Sequence, residues 1–236
     1  MASNEALIRA YESQSAFLRE RVVAYTLSVW AAARAFRDAD VDRIVAQIVP
    51  AVQAGQLQLA TLTDAYIGQV ARRSGVPWVP SLDRSVTSYR GVDAALVYRR
   101  PAVSLYTALA AGEGFSRAVE IGQGRLRSIV STDLQQARNR QANVSVSRSG
   151  FQSYRRVLTG KEDCDLCELA SQNVYSRDDL MPIHPGCDCG VEPVLEFDPQ
   201  PSRAAETVVV NLHGELGPTL GWAADNFTSA ADIPAL

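Results

Sequence analysis

Apolar positions recur every three or four residues through the first half of the chain, the period of helices that bury one face. Leu7, Ile8, Tyr11, Leu18, Val22, Tyr25 and Val29 form one such stripe after Asn4, a good N-cap, and predict a first helix through about Arg37. Asp40 is expected to cap a second helix, striped by Val41, Ile44, Val45, Ile48 and Val49, which Pro50 kinks or ends because it brings no N–H to the ladder. A third is expected from about Gln56 to Arg73, with Leu59, Leu62, Tyr66, Ile67 and Val70 inward and Gly75 as its stop. After a loop through Pro77 and Pro80, two more are expected over about 92–111 and 114–142, with Pro101 opening a new segment inside the former.

The period changes at Asn143. Serine and valine alternate, and the run from Phe151 to Leu158 predicts a strand or strand pair. A short helix is expected after Cys167 to about Ser171, then a loop with Tyr175, Asp178 and Asp179, then a strand from Gly190 to Phe197. Beyond Phe197, prolines at 199, 201, 218 and 234 leave only Thr207 to Leu212 with strand character. Leu216, Leu220, Trp222 and Phe227 are more apolar surface than a free tail needs, so this segment is expected to dock on a partner. The fold class predicted is mainly α: a helical domain over 1–143, a small α+β zinc-binding module over 144–197, and an extended C-terminal tail over 198–236.

Composition adds boundaries to this picture. Of the 236 residues, 47% are hydrophobic and 21% charged, the balance of a globular chain rather than a disordered one. The longest apolar run, Val22 to Ala33, is too short to span a bilayer, so no membrane segment is expected. The opening residues carry early acids and no apolar core, which predicts no secretory signal and hence a reducing compartment. The net charge of −3 is unevenly spread. Residues 115–156 hold eight arginines against two acids, whereas residues 157–194 hold two bases against eight acids.

The chemistry that stands out lies between Cys164 and Gly190, a stretch that holds all four cysteines and one of the two histidines. Cys164 and Cys167 form a C-x2-C pair, and His184, Cys187 and Cys189 follow after sixteen intervening residues, close to the spacing of structural zinc modules. Zinc takes four ligands and five are present. Either all four cysteines bind, or His184 folds over Cys187 and displaces one late cysteine. Two disulfides are the competing arrangement, and a bridge between Cys187 and Cys189 would be strained. One structural zinc per chain is the expected cofactor, supplying much of the stability of a module too small for a large core.

The run from Tyr154 to Val194, with its Tyr-Arg segment, C-x2-C and H-P-x-C-x-C followed by an apolar strand, resembles the C-terminal motif of the phage Mu F-like minor head proteins. The segment from Asn211 to Thr228 is similar to the tails of members from phages of actinobacteria. The helical front matches only in type. The resemblance implies a minor capsid protein of a tailed phage, made in the host cytoplasm and bound to the portal protein inside the head. Its expected roles are in head assembly and in DNA packaging or ejection, with the major capsid or scaffold protein as further partners.

Signatures of catalysis are missing. His184 is followed by proline and glycine rather than the H-x-E of a zinc deaminase, and no H-E-x-x-H or phosphate-binding loop occurs. Gly122 and Gly124 lack the third glycine of a dinucleotide loop. His213 beside Glu215 is the only candidate base outside the zinc region, so no catalytic residue is assigned. Two other classes compete with the capsid reading. A capsid maturation protease would need a nucleophile and base that the chain does not display. A nucleic-acid-binding zinc protein would use Arg117, Arg125, Arg127, Arg138, Arg140, Arg148, Arg155 and Arg156, through which packaged DNA is also a candidate partner, provided they share one exposed face.

Overall fold

The computed structural model describes residues 4–158, 165–177 and 189–195, all within one compact unit, Met1–Pro199. Among them it is mainly helical with one small sheet. Four long helices, α1 (Glu5–Ala31), α2 (Asp38–Ser74), α3 (Ala94–Ala110) and α4 (Phe115–Ser147), precede strand β1 (Ser153–Val157), short helix α5 (Asp165–Ser171), β2 (Val174–Ser176) and β3 (Gly190–Val194). A 3-10 turn, Arg84–Thr87, interrupts the loop between α2 and α3. No described helix is long and apolar enough to cross a membrane.

The predicted second and third helices are one. Pro50 sits inside α2, and both Pro50 and Ala46, whose carbonyl the missing N–H would have engaged, are exposed. Water can therefore take the freed oxygen, while Ile48 and Val52 on the inner face keep both halves of the helix in the same core. Pro101 likewise lies within a continuous α3. The first helix is shorter than its stripe suggested and ends at Ala31 rather than near Arg37. The next residues, Ala-Ala-Arg-Ala, favour helix, but the chain turns so that Phe36 can pack beside Trp30, ring centroids 4.6 Å apart. Asp40 serves as the third residue of α2 rather than its cap, accepting from the Arg37 backbone N–H at 3.1 Å. Gly75, in a left-handed conformation, ends α2 as expected.

The inward face of α1 is also not quite the predicted stripe. Tyr25 points outward at 45% exposure, while Ser15 and Thr26 are buried, Thr26 returning its hydroxyl to Val23 O at 2.8 Å. A large apolar cluster joins Trp30, Ile48, Leu59, Leu105, Leu126 and Leu134 from all four long helices. A second gathers Tyr11, Tyr66, Ile67, Val146, Phe151 and Tyr154, so β1 and the helices share it. Helix α4 runs past Ala142 to Ser147, placing residues 143 and 144 inside it.

The sheet has the order β2-β1-β3, antiparallel throughout. Val157 pairs with Gly190 and Ser153 with Val194. Tyr175, expected in a loop, lies in β2 opposite Tyr154, their rings stacked 5.4 Å apart. The expected strand from Gly190 ends at Val194, one residue before the last described position there. The expected tail over 198–236, with its strand at Thr207 to Leu212, lies outside the described residues.

Candidate functional site

The last four turns of α4 are unusual for a central helix, because Asp133, Gln135, Arg138, Asn139, Gln141 and Ser145 are all buried. Buried polar groups need partners, and those of α4 find them both in the other helices and in the loop and sheet that are not helical. Gln135 donates to Cys189 O at 3.3 Å and to Asn139 Oδ1 at 3.4 Å. Arg138 donates through Nε to the Tyr11 hydroxyl at 2.9 Å and through Nη2 to the Glu12 carboxylate. Tyr11 in turn stacks on Tyr66 at 4.1 Å and shares a hydrogen bond with Thr63 at 2.9 Å. Burial works against the Arg138 charge, but Tyr11 and Glu12 outweigh it, so its pKa ends above the usual arginine value.

The start of β3 lies against this ion pair. A Cβ on Gly190 would clash with the Glu12 carboxylate and stand 3.0 Å from Arg138 Nη2, so any side chain there would have to push the ion pair aside. Arg155 of β1 clasps Glu192 of β3 at 2.5 Å. The close of the cysteine-rich stretch is thus held to the helices by Gln135 through a backbone carbonyl and by the glycine contact.

Of the five proposed ligands, Cys167 and Cys189 are described, and both are fully buried. Cys167 lies in α5, which packs on β1, and Cys189 immediately precedes β3, whose first residue pairs with the last of β1. One strand therefore carries both cysteine-bearing segments. Cys164, His184 and Cys187 lie outside the described residues, and among the described residues no three His, Cys, Asp or Glu side chains form a metal cluster. Two fully buried thiols on segments that share a strand fit a soft-metal donor set, and they equally fit two small core residues. His213 and Glu215 are also outside the described residues.

The eight arginines of 117–156 do not share one face. Arg138 and Arg156 are buried, Arg117 pairs with Glu120 at 3.0 Å and Arg155 with Glu192, while Arg125, Arg127, Arg140 and Arg148 are exposed. A second polar centre went unnoticed in the sequence. Asp133 accepts from the hydroxyls of Tyr89 and Tyr98, at 2.9 and 2.8 Å, and from Arg90 Nε at 2.8 Å, tying residues 89–98 to α4. The sequence signal was there, since Asp133 is one of only two acids among eight arginines, set between the apolar Val130 and Leu134.

Comparisons with family models, with curated proteins and with solved structures each return no match for this chain.

Proposed function

We propose that this chain is a minor capsid protein of a tailed phage, bound to the portal inside the head, whose cysteine-rich segment holds one structural zinc. The motif of residues 154–194 carries the reading: a Tyr-Arg strand, C-x2-C, then H-P-G-C-x-C running into an apolar strand. The burial of Cys167 and Cys189 supports it, as does the sharing of β1 by their two segments. Four of Cys164, Cys167, His184, Cys187 and Cys189 would ligate the ion, which would hold together a segment with little apolar core of its own. No substrate chemistry is assigned to the metal, and the protein acts by assembly rather than catalysis.

Two measurements test this reading. Elemental analysis of protein purified under reducing conditions without chelator is expected to give one zinc per chain, lost in Cys164→Ser or Cys167→Ser. Protein free of metal would remove the zinc assignment. Co-expression with the portal protein of the same genome is expected to yield a complex on size exclusion, weakened by truncation after Phe197. No association of the full chain with the portal would overturn the capsid role.

A further inference from the structure

We propose that the face built around the loop between α2 and α3 binds the sugar-phosphate backbone of duplex DNA, without regard to sequence, through Arg72, Arg73, Arg84, Arg140 and Arg148. These arginines are far apart in sequence, and the fold gathers them. Arg72 and Arg73 end α2, and the Arg72 guanidinium lies 5.8 Å from the centre of the Trp78 ring. Gly150, two residues after Arg148, donates its N–H to Pro77 O at 3.0 Å, so the end of α4 meets the start of the loop. Gln141, next to Arg140, donates to Ser81 O at 2.9 Å and accepts from Asp83 N–H at 2.8 Å, and Arg84 opens the 3-10 turn that follows. Arg140 itself lies 5.9 Å from the centre of the Tyr89 ring.

All five are exposed, and none has a carboxylate partner among the described residues. At other surfaces Arg9, Arg37, Arg43, Arg99 and Arg117 are paired while Arg21, Arg34, Arg100, Arg125 and Arg127 are not, so what marks this face is that its five unpaired arginines lie on one loop and the helix ends bound to it. The local acids are already engaged. Asp64 is buried and accepts from Ser81 N–H and the Ser145 hydroxyl, Asp133 is taken by Arg90 and two tyrosines, and Asp83 caps the 3-10 turn through Ser85 N–H. Asp64 and Asp83 accept only from neutral donors and keep their charges, so five unpaired guanidinium groups stand against two carboxylates and the face keeps a net positive charge.

Its details favour phosphate over base or protein. Trp78 and Tyr89 have guanidinium groups over their faces, so the rings hold the arginines in place and are not open for bases to stack on, as single-strand binding would need. Along α4, Arg140 and Arg148 are about 12 Å apart by helix rise, within reach of successive phosphates across a groove. Val79, Leu82 and Val92 are the exposed large apolar side chains of the loop, and its aromatics Trp78 and Tyr89 are only partly exposed and lie under guanidinium groups rather than standing free as the anchors of a protein interface. This proposal does not rest on the capsid assignment.

The test uses the full chain, a fluorescent random-sequence duplex of about thirty base pairs, and anisotropy titrations from 50 to 300 mM salt. Binding is expected to weaken linearly on a log–log plot, with a slope near −0.9 for each phosphate neutralised, so of about −3 to −5 in all. The variant Arg84→Ala/Arg140→Ala/Arg148→Ala is expected to bind at least ~10-fold more weakly at 100 mM and to reduce the slope by about one for each arginine removed. The control Arg125→Ala/Arg127→Ala is expected to stay within about twofold of wild type, since both arginines are exposed on α4 about 20 Å before Arg140 by helix rise. No binding at 50 mM, an unchanged slope in the triple variant, or an equal loss in the control would overturn the proposal. Poly-glutamate competing as well as duplex at equal charge would also overturn it, identifying an acidic protein as the ligand.

Discussion

Helix α4 has two halves that solve different packing problems. From Ala118 to Val130 its buried residues are apolar, Leu126, Ile129 and Val130 among them, and they face other helices. From Asp133 to Ser145 the buried face turns polar, and it meets the α2–α3 loop and the edge of the sheet, along with polar side chains of α1, α2 and α3 through Arg138, Ser145 and Asp133. The difference follows from backbone hydrogen bonding. A helix satisfies its own N–H and C=O groups, so a second helix need offer it only apolar surface. Loops and strand ends arrive with unpaired groups, and each one buried without a partner would cost about 1–3 kcal/mol. The second half of α4 supplies those partners: Gln141 for Ser81 and Asp83, Gln135 for Cys189.

The comparison can be broken most forcefully at Arg138. Arg138→Met leaves the largely buried Glu12 without its hydrogen-bonded ion-pair partner, with only the more distant charge of Arg19 nearby, and is expected to cost about 3 kcal/mol in urea unfolding. The double variant with Glu12→Gln should recover much of that loss, and no recovery would mean that the charge pair is not the source. A gentler intrusion at the same point is Gly190→Ala, whose methyl would displace Glu12 and is expected to loosen β3. Its readout is faster amide exchange in residues 190–194 with the helices unchanged.

Next in size is Gln141→Met, which conserves volume but strips partners from Ser81 O and Asp83 N–H. The expected cost is about 2–3 kcal/mol, with exchange protection at Asp83 lost first. The matching swap in the apolar half, Leu126→Met, should cost less than about 1.5 kcal/mol, since a flexible side chain of similar size refills the site. Equal costs for the two would erase the distinction between the halves.

The smallest effect belongs to Asp40 at the start of α2. Slight desolvation raises its pKa, but hydrogen bonds from the Arg37 side chain and backbone, with the charges of Arg37 and Arg43, hold it below the ordinary value of 3.8. Because the folded value is the lower one, the stabilisation is fully present above the ordinary value and is lost as the pH falls through the folded one. Asp40→Asn should therefore be less stable than wild type at pH 6, with the gap closing below about pH 4 in acid unfolding curves.

The periodic stripes were enough to place the helices, because burying one face is a property of a segment by itself. They misjudged Pro50 and Phe36 for a shared reason. Whether a proline ends a helix depends on whether the carbonyl it frees can reach water, and whether a helix-favouring run stays helical depends on where its next aromatic must pack. Both are facts of the neighbours. The same limit applied to the arginines: their count was visible, but not that Arg138 and Arg156 would turn inward.

By itself, then, the sequence determined that this protein is mainly helical, that a small β-containing segment follows, and that its cysteines concentrate there, since all three depend on local period and spacing. Only the tertiary structure decided that the polar face of α4 receives the loop and the sheet, and that the loop carrying Arg84 is bound to the α4 segment that carries Arg140 and Arg148. Those outcomes arise from backbone groups and charges seeking partners far along the chain, and no local pattern records which distant residue will answer them.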